Sequence, residues 1–277
     1  MKSGLVLLVI VMSILAFCAS TASASGPEKL CIVIDAGHGG RETGSIGPNG
    51  LKEKDVVLDV AQRLRDELKK KLDVRVVLTR RGEYHVPLEH RANMANTAKE
   101  GRPADLLISI HADACRGPAV NGFKVFYASK RHEFDLDEII QMEGATVVED
   151  DFRARRRDLV ESARWDSLYR KHSYGNSLLA SSIGTALENR LAIPKLLVAP
   201  AVLRLLRGLD MPAVIVEIGF LSSTAGETML GTDEYKDTCA LAIMEGVISY
   251  LDEVQDTFGR VAGTRRPAES LTERELD

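Results

Sequence analysis

Three apolar runs, rich in β-branched residues, each lead into a residue that can bind a metal or transfer a proton. Residues 30–35 precede His38, residues 106–110 precede His111, and residues 213–216 precede Glu217. Apolar runs of this length are typical of strands that are buried in a parallel sheet. In an open α/β sheet, chemistry gathers outside the carboxyl ends of the strands. If the three strands are parallel, two imidazoles and a carboxylate meet at one edge, which indicates a metal-dependent hydrolase.

The order of the apolar patterns predicts the fold class. Predicted strands at 30–35, 74–78, 105–111, 122–127 and 213–218 alternate with predicted helices at 54–71, 88–97, 172–190 and 234–254. Such alternation is typical of α/β domains with helices on both faces of the sheet. We therefore expect a mostly parallel central sheet of about six strands, flanked by helices on both faces, with a helical insertion at 130–171 after the fourth strand.

The first 24 residues have the pattern of a secretory signal peptide. Lys2 is followed by an apolar run and by a small-residue cleavage site at Ala22-Ser23-Ala24. A retained membrane anchor is the alternative, although the run is short for a full span. The pattern predicts an exported protein with no stable membrane insertion after cleavage. The periplasm is the expected compartment, and the extracellular space or the cell wall are alternatives.

The predicted mature chain consists of a catalytic domain at 25–257 and a tail at 258–277. The tail combines charges, Gly and Pro with few bulky apolar residues, so we expect it to be disordered. The formal net charge of the whole chain is −4, which does not suggest a nucleic-acid-binding protein.

Three cysteines, Cys31, Cys115 and Cys239, remain after the signal peptide. An odd number in an exported protein argues against a disulfide framework. Cys31 falls in a predicted core strand and Cys239 on the apolar face of a predicted helix, where buried thiols are common. A Cys31–Cys115 disulfide is the alternative.

His38, Glu53 and His111 are the candidate metal ligands. Hydrolytic zinc sites usually have three protein ligands from His and carboxylate side chains, which leaves one position for water. Glu53 lies where the glycine-rich loop after His38 becomes a helix. The alternatives are structural: a first-turn acid stabilised by the helix N-terminus for Glu53, a buried structural histidine for His111, and a tight-turn residue for His38.

Glu217 ends one of the most apolar runs in the chain. A buried carboxylate is costly unless it has a partner. Beside a metal, Glu217 would act as general base, taking a proton from the attacking water and delivering it to the leaving nitrogen. The alternative is a structural acid that pairs with an arginine at the sheet edge.

Four motifs resemble one enzyme family: IDAGHGG at 34–40, GLKEKDVVL at 50–58, SIHADA at 109–114 and MPAVIVEIGFLS at 211–222. In this order they are similar to the zinc-dependent N-acetylmuramoyl-L-alanine amidases of amidase family 3, the cell-separation type. Thr79-Arg80 and the stretch from Pro87-Leu88 through Arg91 to Asn96 also resemble that family. The similarity covers roughly residues 30–251.

The resemblance implies cleavage of the amide between the lactyl group of N-acetylmuramic acid and L-alanine in peptidoglycan. It implies that His38, Glu53 and His111 hold Zn²⁺ and that Glu217 is the catalytic acid. A basic residue at the place of Arg207 is frequent in the family, so Arg207 is a candidate substrate contact. Asp113 and Ser223 depart from the asparagines that the family pattern has, which puts substrate fit in doubt more than activity.

The predicted insertion at 130–171 is long for a connection within one domain, and such connections are often lids or regulatory elements. In related amidases an inserted helix can occlude the zinc until an activator protein displaces it. Glu143 resembles the acidic residue of that segment, so we expect the insertion to gate the site and to bind an activator. The alternative is a charged helical pair that shapes the substrate groove.

Two other function classes remain open from the residues alone. One is a non-catalytic muropeptide-binding regulator on the same fold, and the other is a zinc peptidase or deacetylase that acts on another envelope substrate. The presence of all four site residues argues against the first. The other four histidines, His85, His90, His132 and His172, are expected to be surface residues.

Overall fold

The computed structural model describes residues 28–113, 121–128 and 159–262. The predicted signal peptide, Cys115, His132, Glu143, most of the predicted insertion and residues 263–277 lie outside these ranges. No helix within the described residues has the length and apolar character needed to cross a membrane.

A six-stranded sheet forms the centre of the described structure. Its strands are β1 (Leu30–Ala36), β2 (Val74–Leu78), β3 (Leu106–Asp113), β4 (Phe123–Ala128), β5 (Lys195–Ala201) and β6 (Ala213–Phe220). Their spatial order is β2-β1-β3-β6-β4-β5. Strands β2, β1, β3 and β6 are parallel, whereas β4 runs antiparallel to β6 and pairs in parallel with β5. The predicted fold class, a mostly parallel sheet of about six strands, is confirmed.

The direction of the strands defines two edges of the sheet. We call the edge at which β1, β3 and β6 end the carboxyl edge, and the edge at which they begin the amino edge. Because β4 is antiparallel to β6, Ala128 at the end of β4 lies at the amino edge. Ala201 at the end of β5 pairs with Ala128 and lies there too.

Five helices are described around the sheet. They are α1 (Glu53–Lys71), α2 (Leu88–Asn96), α3 (Leu159–Arg190), α4 (Thr224–Gly231) and α5 (Asp233–Ala262). Helix α3 begins thirteen residues before the predicted start at His172, so the end of the predicted insertion is helical. Helix α5 continues to Ala262, so the first residues of the segment expected to be disordered are helical as well. Each added residue of a formed helix gains a backbone hydrogen bond, which favours such extensions.

Helices cover both faces of the sheet and create two hydrophobic cores, as expected. On one face, β1 and β3 contribute Ile32, Ile34, Ile108 and Ile110 to a core that α1, α3 and α5 close. On the other face, α2 and the leucine-rich connection 202–211 cover a second core. Alternate residues of each strand point to opposite faces. Asp35, His111 and Glu217 are therefore on the face of the second core.

Both cysteines in the described residues are buried free thiols, as predicted. Cys31 lies in β1 and Cys239 in α5, and neither side chain is exposed. Burial raises the pKa of Cys31, and it raises the pKa of Cys239 to about 12.

Candidate metal centre

The candidate site lies at the carboxyl edge, where β1 and β3 end side by side. The backbone N–H of Gly37 donates to the carbonyl of Ile110 over 3.1 Å, which continues the pairing of β1 with β3 beyond the last strand residue. His38 is the next residue after Gly37, and His111 is the next residue after Ile110 on β3. The local pairing of the two strands therefore brings two imidazoles together that are far apart in the sequence.

Glu53 reaches both imidazoles with one carboxylate oxygen. Glu53 Oε1 lies 3.2 Å from His38 Nε2 and 3.0 Å from His111 Nδ1. The two imidazole rings are nearly perpendicular, with centroids 5.1 Å apart. One ligand atom from each of the three residues lies within 4.8 Å of the others. The structure thus brings together the three side chains predicted as metal ligands.

The carboxylate of Glu53 is fixed by the backbone around it. Glu53 is the first residue of α1 and is 3% exposed. Its Oε1 accepts a hydrogen bond from Ala112 N over 3.0 Å, and its Oε2 accepts one from Ser45 N over 2.9 Å. The position at the helix N-terminus, considered above as the structural alternative, therefore coexists with direct contact to both histidines.

The donor atoms of the cluster suit a divalent cation once both histidines are neutral. Burial alone would raise the pKa of Glu53, but its hydrogen bonds with His111 and His38 outweigh burial and hold the pKa well below its ordinary range. Burial would lower the pKa of His38, yet the hydrogen bond with Glu53 and the negative charge of Glu53 together raise it. One ionised carboxylate and two imidazoles form a donor set that zinc commonly uses. The three residues could therefore hold a metal ion.

Two glycines make room for the cluster, because a side chain at either position would overlap a predicted ligand. A Cβ atom on Gly37 would lie 2.5 Å from His111 Cε1. A Cβ atom on Gly44 would lie 2.4 Å from Glu53 Oε2, and the φ angle of Gly44 is +64°. The glycine-rich loop thus allows the backbone to approach both ligand side chains closely, which explains its composition.

Glu217 lies beside His111 on the neighbouring strand. The two residues are register partners between β3 and β6, and Glu217 is 3% exposed. Neighbouring strands are about 4.8 Å apart, and register partners project to the same face. The predicted general base is thus next to one of the predicted ligands.

Sequence reasoning missed a cation in the same row of the sheet. Lys124 on β4 is the register partner of Glu217 on the side away from His111. Its Nζ lies 5.1 Å from the centroid of the Phe220 ring, at the end of β6. The antiparallel direction of β4 places Lys124 at the carboxyl edge. The run at 122–127 gave no signal of that direction, so Lys124 could not be placed from the sequence.

Arg207 does not join the cluster. It lies in the connection between Ala201 and Ala213, and both of these residues are at the amino edge. Its guanidinium carbon is 6.0 Å from the centroid of the Trp165 ring on α3. The sequence spacing to Pro212 did not reveal which edge this connection occupies, and a contact of Arg207 with substrate stays a prediction.

The other described histidines lie outside the cluster. His85 and His90 are exposed, as expected. His172 is half-buried, and its Nε2 lies 2.8 Å from Asp210 Oδ1 in the connection before β6, so it is less exposed than expected.

Comparison with known proteins identifies the family. A family model described as N-acetylmuramoyl-L-alanine amidase matches residues 32–249. The chain belongs to this family. The amidase is similar to N-acetylmuramoyl-L-alanine amidase AmiA of Escherichia coli, with 35% identity over 234 residues that cover 83% of this chain and 78% of AmiA. The resemblance inferred from the four motifs is thus confirmed, and the chain is a hydrolase that acts on an amide bond.

Solved structures with the same fold include two amidases. An N-acetylmuramoyl-L-alanine amidase from Clostridium difficile 630 is 25% identical with a TM-score of 0.62, covering 82% of this chain and 98% of that one. AmiC2 of Nostoc punctiforme is 27% identical with a TM-score of 0.59, covering 82% of this chain and 99% of that one.

Proposed function

We propose that this amidase is a zinc-dependent enzyme that cleaves the amide between the lactyl group of N-acetylmuramic acid and L-alanine of the stem peptide. In this proposal His38, Glu53 and His111 hold the zinc ion, and Glu217 is the catalytic acid–base. The contact of one Glu53 oxygen with both imidazoles, at 3.2 and 3.0 Å, is the observation that carries the proposal. The register pairing of Glu217 with His111 supports the assignment of the base.

Each side chain has a distinct role in the proposed reaction. Zinc, when bound, supplies a Lewis acid that polarises the scissile carbonyl and makes water easier to deprotonate. Glu217 accepts a proton from the water that attacks the carbonyl carbon. As the carbon–nitrogen bond breaks, Glu217 returns the proton to the nitrogen of L-alanine. The products are a lactyl carboxylate on the sugar and a free amino terminus on the peptide.

Digestion of purified sacculi tests the proposal. We expect the zinc-loaded protein to release peptides with free L-alanine amino termini and to leave the glycan intact. Removal of zinc with a chelator should stop the release, and zinc should restore it. Released D-alanine would indicate a carboxypeptidase, and release of acetate would indicate a deacetylase. Intact sacculi that retain the bound protein, even after deletion of residues 135–158, would indicate a muropeptide-binding regulator.

We also propose that the protein is exported and acts in cell-wall remodelling or daughter-cell separation. Peptidoglycan lies outside the cytoplasmic membrane, so the substrate requires export, and residues 1–24 have the pattern of a signal peptide. The mass of the mature protein from fractionated cells tests this point. A mature chain that begins at Ser25 in the periplasmic fraction is expected, and a chain that retains residues 1–24 would contradict the assignment.

We further propose that the insertion regulates access to the site and binds an activator protein. Glu143 and residues 130–158 lie outside the described residues, so the support comes from length and attachment. The chain leaves β4 at the amino edge, and about 30 residues intervene before α3. An extended chain of that length spans up to about 100 Å, enough to reach the carboxyl edge. Deletion of residues 135–158 should raise sacculus hydrolysis markedly, whereas unchanged or lost activity would contradict gating.

A further inference from the structure

Two arginines with no assigned role lie buried behind the metal centre. Arg80 has no exposed surface and Arg91 is 2% exposed. Both belong to stretches that resemble the amidase family, yet neither contributes to the proposed chemistry. Buried charges are rare unless they are paired or fully hydrogen-bonded. The atoms that they bind therefore indicate what they do.

Arg80 binds the backbone of both segments that carry a predicted ligand. Its Nη2 donates to the carbonyl of Gly37 over 2.8 Å and to the carbonyl of Lys54 over 2.7 Å. Its Nε donates to the carbonyl of Ala36 over 3.0 Å. Gly37 precedes His38, and Lys54 follows Glu53. One guanidinium thus connects the loop of His38 with the first turn of α1.

Arg91 binds the backbone of His38 itself. Its Nη2 donates to the carbonyl of His38 over 2.6 Å, and its Nη1 donates to the carbonyl of Ala36 over 2.6 Å. The same Nη1 lies 2.8 Å from Asp35 Oδ1 in a buried ion pair. Asp35 in turn accepts a hydrogen bond from Ser109, two residues before His111 on β3, over 2.8 Å. Arg91 therefore links the His38 loop to the strand that carries His111.

The conformation of His38 requires such support. Its φ angle is +56°, which is costly for a residue with a side chain. Strained residues of this kind persist only where their surroundings hold them in place. The hydrogen bond from Arg91 to the carbonyl of His38 holds the peptide unit that follows the strained angle.

We propose that Arg80 and Arg91 are positioning residues, an arginine clamp that fixes the backbones of His38 and Glu53 so that their side chains converge on one metal ion. The inference rests on the proposed zinc site. The proposed role differs from a general contribution to folding stability, because three of the bound carbonyls belong to the ligand His38 or to residues next to a ligand. The clamp acts through those residues and does not contact substrate.

Lysine substitutions test the clamp because they keep the charge and remove the planar fork. An ammonium cannot reproduce the fixed set of donors with which a guanidinium binds several carbonyls at once. We expect Arg80→Lys and Arg91→Lys each to weaken zinc binding by about 10- to 100-fold, the range for residues that orient metal ligands. Zinc affinity is measured by competition with a chromophoric chelator, and the visible spectrum of the Co²⁺-loaded protein reports the ligand geometry.

A destabilised control separates positioning from loss of stability. Leu187 is fully buried on α3 in the core on the other face of the sheet. Leu187→Ala should lower the unfolding temperature and leave the zinc affinity and the Co²⁺ spectrum unchanged. Folded lysine variants with the parent's zinc affinity and Co²⁺ spectrum would overturn the clamp.

A milder variant decides the matter if the lysine variants do not fold. Thr79 Oγ1 donates to Asp35 Oδ1 over 2.6 Å, and the same oxygen pairs with Arg91. Thr79→Val replaces the hydroxyl with a methyl group, so Asp35 loses one of the hydrogen bonds that fix it beside Arg91. Weaker zinc binding by this variant supports the clamp, and unchanged binding counts against it. A parent chain that binds no zinc would refute the proposed function and the clamp together. A parent that binds zinc with all variants equal to it would refute the clamp alone.

Discussion

Replacement of Gly37 by alanine is a direct test of the proposed site, because the structure gives the size of the disturbance. The new Cβ atom would lie 2.5, 2.7 and 2.8 Å from Cε1, Nε2 and Nδ1 of His111. Ordinary van der Waals contacts begin at 3.4 Å. The imidazole must therefore move by about 0.9 Å, or the hydrogen bond between Gly37 N and Ile110 O must lengthen by a similar amount.

The expected loss follows from that displacement. A misplacement of about 1 Å at a catalytic site costs roughly 100-fold in rate, which is about 2.7 kcal/mol in transition-state stabilisation. Overpacking a buried site costs the fold roughly 1–3 kcal/mol. We therefore expect Gly37→Ala to remain folded, to lose about 100-fold in kcat/KM on muropeptides, and to bind zinc more weakly through the displaced His111.

The assay compares zinc affinity, kcat/KM and the free energy of unfolding for the parent and two alanine variants. Gly82 is the matched control, because a Cβ atom there would meet only the Tyr84 ring at 3.8 Å. Gly82→Ala should resemble the parent in all three measurements. The reasoning is refuted if Gly37→Ala retains the zinc affinity and kcat/KM of the parent.

Four further outcomes are expected. Glu217→Gln should bind zinc normally and lose about 100- to 10,000-fold in kcat, the range for general acid–base groups; substantial activity would exclude Glu217 as the base. His111→Ala should lower the zinc content in elemental analysis, and an unchanged content would remove His111 from the site. Burial raises the pKa of Asp35, but the charge of Arg91 and the hydrogen bonds from Thr79 and Ser109 together outweigh burial and leave the pKa below its ordinary value. The stabilisation from Asp35 is therefore present above about pH 3.9, its unfolded pKa, and is lost as the pH falls through the lower folded value. Asp35→Asn should lower the free energy of unfolding by about 3–5 kcal/mol at neutral pH by leaving Arg91 unpaired. It should also make the free energy of unfolding depend less on pH in the acid range, and an unchanged pH dependence in urea titrations would contradict this. Because burial raises the pKa of Cys239 to about 12, iodoacetamide at pH 8 should alkylate this thiol only after unfolding. Alkylated Cys239 in peptide mass spectrometry of the native protein would contradict this.

The sequence predicted the core of the fold and the convergence of the site because both depend on local patterns. Apolar runs of β-branched residues identified β1, β3 and β6, and helical spacing identified α1 and α5. The parallel arrangement then followed from the alternation of strands and helices. Since the carboxyl ends of parallel strands share one edge, His38, His111 and Glu217 had to meet there.

The missed elements depend on tertiary contacts that no local pattern reveals. Strand β5 contains Pro200, which weakens a strand pattern but is tolerated in an edge strand. The upstream half of α3 gains stability from Trp165, which packs against the second core. No local pattern marks Arg80 and Arg91 as buried, because charged side chains are mostly exposed and the burial of these two depends on the carbonyls that they bind.

Backbone hydrogen bonds help to place the ligand set. The N–H of Gly37 ties the His38 loop to β3, and the N–H of Ala112 holds the carboxylate of Glu53 beside His111. When folding alone orders a site, metal binding does not have to offset the entropy of ordering its ligands. Zinc then stabilises the folded chain only by mass action on a formed site, in proportion to the logarithm of its concentration over Kd. Zinc-free protein should accordingly remain folded, which makes the zinc affinity of a variant a measure of ligand placement rather than of folding.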